Sequence, residues 1–501
     1  MRAIMVVGTS SHAGKSFLVT ALCRLLARKG WRVCPFKGQS IVRDAYVTPS
    51  GGEIGHAQAI QAWAAGVVPQ MEMNPIVLRP QGDRTFQTTL RGRSAGQVAE
   101  ADCHQQIYDV GWQAVQDSLK RLGEEFDLLV CEGHGSPAEV AIKDYDLANM
   151  KIATHLKAPA ILVADVGRGG VFAHVIGTLE LLTPDERSLI KGIVLNQFSG
   201  QRSQIQPDID WLQERTGIPV LGVIPPMAPA NPGEPSLADL ERSPKASANP
   251  ISIAVIRLPR ISNFTDFDPL DAETSVTVNY VGLKDSLGYP DAVILPGSKA
   301  VIADLIALER TGMGDAIRNY AAAGGTVLGI CGGFQLMGQM IADPEGVEGH
   351  EGRYKGLDLL PLKTVITGKK VARQRLATSK HPQMGLPVIG YEVHQGRSQL
   401  VRPSETDAEA SIYEAMFDDP NLGVVASSQL LWGTYLHGLF DNGPWRRTWL
   451  NRLRKQRGLS SLPTGISNYR EQREVILDSL ADMVDAYLDL TPLLQHLEIQ
   501  H

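Results

Sequence analysis

Cysteine is scarce in this 501-residue chain: Cys23, Cys34, Cys103, Cys131 and Cys331 make five, with no C-x-x-C pair among them. A scattered, odd-numbered set argues against a disulfide framework and a cysteine zinc site, and for a reducing, cytoplasmic setting. Positive charge is not in excess. Lys and Arg number 48 against 54 Asp and Glu, a formal charge of -6, so no basic field addresses nucleic acid or an anionic membrane. Long apolar runs are missing too. None is long enough to span a bilayer. The run Ile4–Val7 is too short for a signal peptide and leads straight into a glycine loop. No repeat of short period is visible. What remains is 43% apolar and 20% charged, ordinary for a soluble globular protein with two or three domains.

Two α/β blocks and a helical tail emerge from the pattern. Apolar runs at Ala3–Val7, Arg32–Phe36, Asp127–Cys131, Ala160–Ala164, Gly192–Leu195 and Val220–Ile224 alternate with helical stretches. Continuous apolar strands between helices predict a doubly wound parallel sheet covered on both faces. The spacing predicts a first domain over 1–230 and a Pro-, Ala- and Ser-rich linker over 231–250. A second α/β domain covers 251–449, with strands at Ile251–Ile256, Ala292–Leu295, Thr326–Ile330 and a last one ending near Tyr435. A helical extension fills 450–501. There Ile476, Leu480, Met483 and Tyr487 mark an amphipathic helix expected to pack on the second domain.

The first strand runs into Gly8-Thr9-Ser10-Ser11-His12-Ala13-Gly14-Lys15-Ser16, and an apolar-faced helix follows. Backbone N–H groups at a helix start cradle phosphate, and the helix dipole favours the anion. Gly8 and Gly14 shape the loop, Lys15 reaches the terminal phosphates of ATP, and the Ser16 hydroxyl holds Mg²⁺. Five residues separate Gly8 from Gly14, one more than in the standard loop. Lys37, ending the second strand, is a further ATP-binding candidate. Glu132, ending the third at the ligand edge of the sheet, is a Mg²⁺ candidate, as is Glu53 in Gly51-Gly52-Glu53-Ile54-Gly55. The plain alternatives are an ordinary strand–turn–helix corner and solvated surface charges.

In the second block the strand Thr326–Ile330 breaks into Cys331-Gly332-Gly333 before a helix. A nucleophile between small residues on a strand-to-helix turn follows the elbow logic. Gly332, and Gly297 in Leu295-Pro296-Gly297-Ser298-Lys299, are candidate oxyanion donors. His437, after the last strand, is the candidate base for Cys331. Either residue alone reads equally well as a packing cysteine or a satisfied loop histidine; the pair in this context reads as a site. The third member stays open between Glu392, Asp441 and a two-residue site. Position 439, where class I glutaminases carry Glu, is Leu439.

These motifs, with Met73-Asn74-Pro75, Gly135–Glu139, Gly169–Ala173, Ile261-Ser262-Asn263-Phe264-Thr265-Asp266-Phe267-Asp268, Tyr391-Glu392-Val393-His394 and Gly433–Phe440, resemble the cobyric acid synthase family along nearly the whole chain. The missing Glu after the histidine is a feature of that branch of glutaminases. The resemblance implies a dethiobiotin-synthetase-like P-loop domain joined to a class I glutamine amidotransferase domain. It also implies glutamine, ATP and a corrinoid polycarboxylate as substrates, with amidation of the b, d, e and g carboxylates of adenosylcobyrinic acid a,c-diamide. In the synthetase half the chain departs from the family at Ser40-Ile41, Arg43-Asp44, Arg79, Phe86-Gln87-Thr88, His134, Val166-Gly167, Gln197 and Ser199. A diverged paralogue with a weakened or re-targeted synthetase is therefore the alternative expectation. A P-loop switch ATPase is disfavoured, because a switch has no use for the cysteine elbow.

Overall fold

The structure is a computed structural model. It describes all residues except 43–44, 83, 100, 102, 227–249, 350, 402–412, 429 and 499–501. Arg43, Asp44 and the expected linker, Pro250 apart, thus lie outside the described residues. The chain divides into two compact units, Met1–Glu234 with Arg473–His501, and Pro235–Gln472.

In the first unit, β1 (Arg2–Gly8) leads through the glycine loop into α1 (Lys15–Arg28), followed by β2 (Val33–Phe36) and α2 (His56–Ala64). The sheet is completed by β3 (Leu128–Glu132), β4 (Ala160–Asp165), β5 (Ile190–Asn196) and β6 (Val220–Val223). The order is β6-β5-β4-β1-β3-β2, and every neighbouring pair is parallel. These are the six apolar runs, and both faces are covered by buried side chains. A parallel sheet sends its strand-to-helix loops to one edge. That edge collects the glycine loop, Lys37, Glu132 and Asn196.

The second unit holds β7 (Ile251–Arg257), β8 (Ile261–Ser262), β9 (Val276–Gly282), β10 (Ala292–Leu295), β11 (Gly297–Ser298) and β12 (Thr326–Ile330). After β12 comes the short helix α3 (Gly332–Leu336). The long hairpin β13 (Leu362–Thr378) and β14 (Pro387–Leu400) precedes β15 (Tyr413–Ala415), β16 (Gly423–Ala426), β17 (Leu431–Thr434) and β18 (Leu436–His437). The main sheet runs β9-β7-β10-β12-β17-β16-β15, parallel from β9 to β17 and antiparallel beyond. Loops after β7, β10, β12 and β17 therefore meet at one end. The small antiparallel pair β8–β11 sets Ser262 opposite Gly297. Pairing of β14 with β18 sets Tyr391 opposite His437.

The helical tail differs from expectation. From Arg473 onward, α4 (Tyr469–Tyr487) and all of α5 (Thr491–Glu498) belong to the first unit, not the second. The buried stripe of α4 is Arg473, Leu477, Leu480, Ala481 and Val484; of the expected residues Leu480 lies in it, Ile476 and Met483 pack partly buried beside it, and Tyr487 is exposed. The apolar residues of this stripe join Leu18, Leu22 and Leu25 of α1 in one apolar cluster. Arg24 pairs with Glu474 and Asp478, Arg28 with Asp482 and Lys29 with Asp485, at 2.7–3.0 Å. The guanidinium of Arg473 lies 3.8 Å from the ring centroid of Trp63 in α2. An acidic helix face thus finds the basic end of α1.

Candidate active sites

Lys15 Nζ donates to the carbonyls of Ser10 and Gly135, each at 2.9 Å. The ammonium is thereby folded over the glycine loop. Gly14 has φ 104°, and a Cβ there would lie 2.0 Å from Asn196 Nδ2, which itself donates to the Ala13 carbonyl at 3.0 Å. Only glycine fits, since a side chain would meet both backbone strain and Asn196. Gly8 lies against the Lys15 side chain.

Glu132 is the hub of this edge and is fully buried. Its Oε1 accepts from Ser16 Oγ at 2.8 Å and Lys37 Nζ at 2.5 Å. Its Oε2 accepts from Gln61 of α2. Burial alone would raise this carboxyl, but Lys37, Gln61 and Ser16 outweigh it and hold the group below the usual carboxylate range. Ser16 and Glu132 form a hard oxygen pair beside the phosphate loop, which suits an ion that completes its shell on phosphate oxygens and water. Glu53 does not join them in that contact: its carboxylate pairs with Arg79 at 2.7 Å, both residues being buried. Glu53 and Glu132 are thus each paired with a buried cation, Arg79 and Lys37, and Glu132 in addition bonds the Ser16 hydroxyl at the start of α1. Gln61 was missed, because nothing local in the sequence ties a helical glutamine to a strand-end carboxylate 71 residues away. Asn74 accepts from Ser40 Oγ and the Gly55 N–H, and donates to the Lys37 carbonyl. The substituted Ser40 is thus a bonded part of this edge.

In the second unit Cys331 has φ 52° and ψ −107°, a sparsely populated conformation for a non-glycine residue, as the elbow expectation requires of a candidate nucleophile. A Cβ on Gly333 would sit 1.9 Å from the Leu295 carbonyl oxygen, and one on Gly332 2.7 Å from Ser298 N. The small residues are required because the elbow packs directly on the β10–β11 segment. Gly297 lies beside His437, the candidate base: a Cβ there would be 3.2 Å from His437 Cε1. Both oxyanion candidates thus flank the Cys331–His437 pair.

His437 is buried, and its Nδ1 bonds Asp266 Oδ2 at 2.7 Å, leaving Nε2 for the Cys331 sulfur. The other Asp266 oxygen accepts from the Gly438 N–H at 2.8 Å. Burial opposes the imidazolium, but Asp266 and Cys331 outweigh it and push His437 up to about 10. Neither Glu392 nor Asp441 fills the third position. Glu392 is taken by Arg373 at 2.5 Å and His394 at 3.5 Å. Cys331 Sγ also contacts the Val393 carbonyl at 3.3 Å.

Among the described residues no helix is long and apolar enough to cross a membrane, and all five cysteines are free. A phosphate-loop sheet followed by a Cys–His–Asp elbow domain defines an ATP-using, glutamine-dependent amidotransferase. Residues 4–230 match the CobQ/CobB/MinD/ParA nucleotide binding domain. Residues 252–445 match the CobB/CobQ-like glutamine amidotransferase domain. The chain is 62% identical to a cobyric acid synthase of Nostoc punctiforme, covering 99% of this chain and 100% of the relative. It is 57% identical to that of Trichodesmium erythraeum, over 99% and 100%. The chain belongs to the cobyric acid synthase family, and its activity is ATP-driven, glutamine-dependent amidation in cobalamin biosynthesis.

Proposed function

We propose that the chain converts the b, d, e and g carboxylates of adenosylcobyrinic acid a,c-diamide to carboxamides, using one glutamine and one ATP for each. A carboxylate is a poor electrophile. Its oxygen attacks the γ-phosphorus of ATP and ADP departs, giving an acyl phosphate whose phosphate is the leaving group for the next step. Lys15 steadies the transferring charge. Ser16 and Glu132 would hold Mg²⁺, which would neutralise phosphate charge when bound, and Lys37 and Gln61 fix the Glu132 carboxylate in place.

At the other site the Cys331 sulfur attacks the glutamine amide carbon. The oxyanion rests on the N–H groups of Gly332 and Gly297. His437, carried as imidazolium beside Asp266, gives its proton to the departing ammonia and then takes one from the water that cleaves the thioester. Ammonia displaces phosphate from the acyl phosphate.

The observation that carries this reading is full-length identity of 57–62% to cobyric acid synthases. It does not favour the alternative of a weakened or re-targeted synthetase, and the expectation drawn from the departures is set aside. A cytoplasmic location agrees with five unpaired cysteines. The test is mass spectrometry of adenosylcobyrinic acid a,c-diamide after incubation with the protein, ATP, Mg²⁺ and glutamine. Four successive carboxylate-to-amide conversions are expected; glutamine hydrolysis with an unaltered corrinoid would refute the substrate.

A further inference from the structure

We infer that Asn263 and Tyr391 are positioning residues for His437: Asp266 holds the imidazole by its edge, and the Asn263–Tyr391 pair holds it by its face. The inference rests on the glutaminase reading of Cys331 and His437. Tyr391 stacks on the imidazole with ring centroids 5.2 Å apart and planes 20° from parallel. Its hydroxyl oxygen accepts from Asn263 Nδ2 at 2.9 Å. Asn263 and Asp266 share one short turn, in which the Asp266 N–H donates to the Asn263 carbonyl at 3.1 Å. One loop therefore sends one side chain to the imidazole nitrogen and another to the ring that covers the imidazole.

The need for a second hold is geometric. His437 sits on a strand of two residues, and its partners Asp266 and Cys331 both meet the edge of the ring, so neither covers its face. The Tyr391 ring packs on one face. The aromatic face also attracts the cationic form, and burial strengthens that attraction. The local backbone is shaped for the contact. A Cβ on Gly390 would lie 2.2 Å from the His437 carbonyl oxygen, so glycine there lets β14 and β18 close together. Asn263 adopts φ 59°, ψ 52°, a left-handed conformation that asparagine tolerates better than most residues. The groups facing the imidazole are Asp266 from the turn after β8, Cys331 from the elbow and Tyr391 from β14.

The experiment is glutamine hydrolysis by the full chain across pH, with kcat and KM resolved. Tyr391→Leu is expected to lower kcat roughly tenfold, the scale of a desolvated cation–π contact. KM for glutamine should hold, and the limb of the kcat profile set by the imidazolium should move to lower pH. Tyr391→Phe keeps the ring and should keep that limb in place. Asn263→Gly retains the left-handed backbone while deleting the amide. It should match Tyr391→Phe, and the double variant should be no worse than either, because both remove one hydrogen bond. An unchanged kcat in folded Tyr391→Leu, or a lower kcat on an unmoved pH profile, overturns the inference. If Tyr391→Leu does not fold, additive losses in the Tyr391→Phe and Asn263→Gly cycle overturn it. A wild-type chain without glutaminase activity overturns the reading of Cys331 and His437, and this inference with it.

Discussion

His437 and Asp266 are 171 positions apart in the chain and 2.7 Å apart in the fold. The aspartate comes from a turn after β8, and no spacing rule around the histidine reaches it. Asp266→Asn should keep the shape and lose the charge, lowering glutaminase kcat by roughly 10²-fold or more, the share of an oriented acid–base group. Ammonia-driven amidation should persist. Wild-type glutaminase activity in the variant would remove Asp266 from the mechanism.

The same pair sets a pH dependence of stability. His437 is raised from 6.5 to about 10 in the fold, Asp266 and Cys331 outweighing burial. A raised histidine contributes stability fully below its unfolded value and loses it as pH rises through the folded one. Wild type should therefore exceed Asp266→Asn in thermal midpoint most at pH 6 and below. The gap should narrow steadily toward pH 10. A gap that widens with rising pH contradicts the assignment.

Cys331→Ala should abolish glutamine hydrolysis and glutamine-driven amidation, while high ammonia restores amidation. In the proposed reaction the sulfur is the bond-forming atom, and the contacts of Ser16, Lys37 and Glu132 do not involve it. Residual hydrolysis at the wild-type rate would place the nucleophile elsewhere.

Local patterns were legible where the chemistry is local. The six apolar runs of the first sheet, the glycine loop and the cysteine elbow each lie within a dozen residues, so hydrophobic period and small-residue spacing disclosed them. Partners brought together by topology were not. Asp266 and Gln61 reach their sites across 171 and 71 positions, and Glu53 proved to be the partner of Arg79. The hairpin β13–β14, which carries Tyr391 and His394, went unread because its mixed, half-exposed strands lack a clean alternation. The tail was read as a helix correctly, but amphipathicity says only that a face is buried, never against what.

Lys15→Ala removes the ammonium that lies over the phosphate loop. Loss of one preorganised charge at a transition state costs on the order of 10²-fold or more. Glutamine-driven and ammonia-driven amidation should fall together, and basal glutamine hydrolysis should stay. Ammonia-driven amidation at the wild-type rate would move the ATP site away from Gly8–Ser16.

Leu480 decides where the tail belongs. It is buried in the cluster of Leu18, Leu22 and Leu25, so truncation leaves a cavity beneath the helix that begins with Lys15 and Ser16. Leu480→Ala should destabilise the first unit by about 2–5 kcal/mol, the usual range for a buried leucine. Asp478→Asn, which breaks a partly exposed pair with Arg24, should cost about 1 kcal/mol or less and lose its effect at high salt. Denaturant unfolding followed by ATP-dependent amidation and by glutaminase activity separates the units. Leu480→Ala should lower the midpoint for loss of amidation with ammonia and leave that for glutamine hydrolysis in place. The reverse pattern would return the tail to the glutaminase unit.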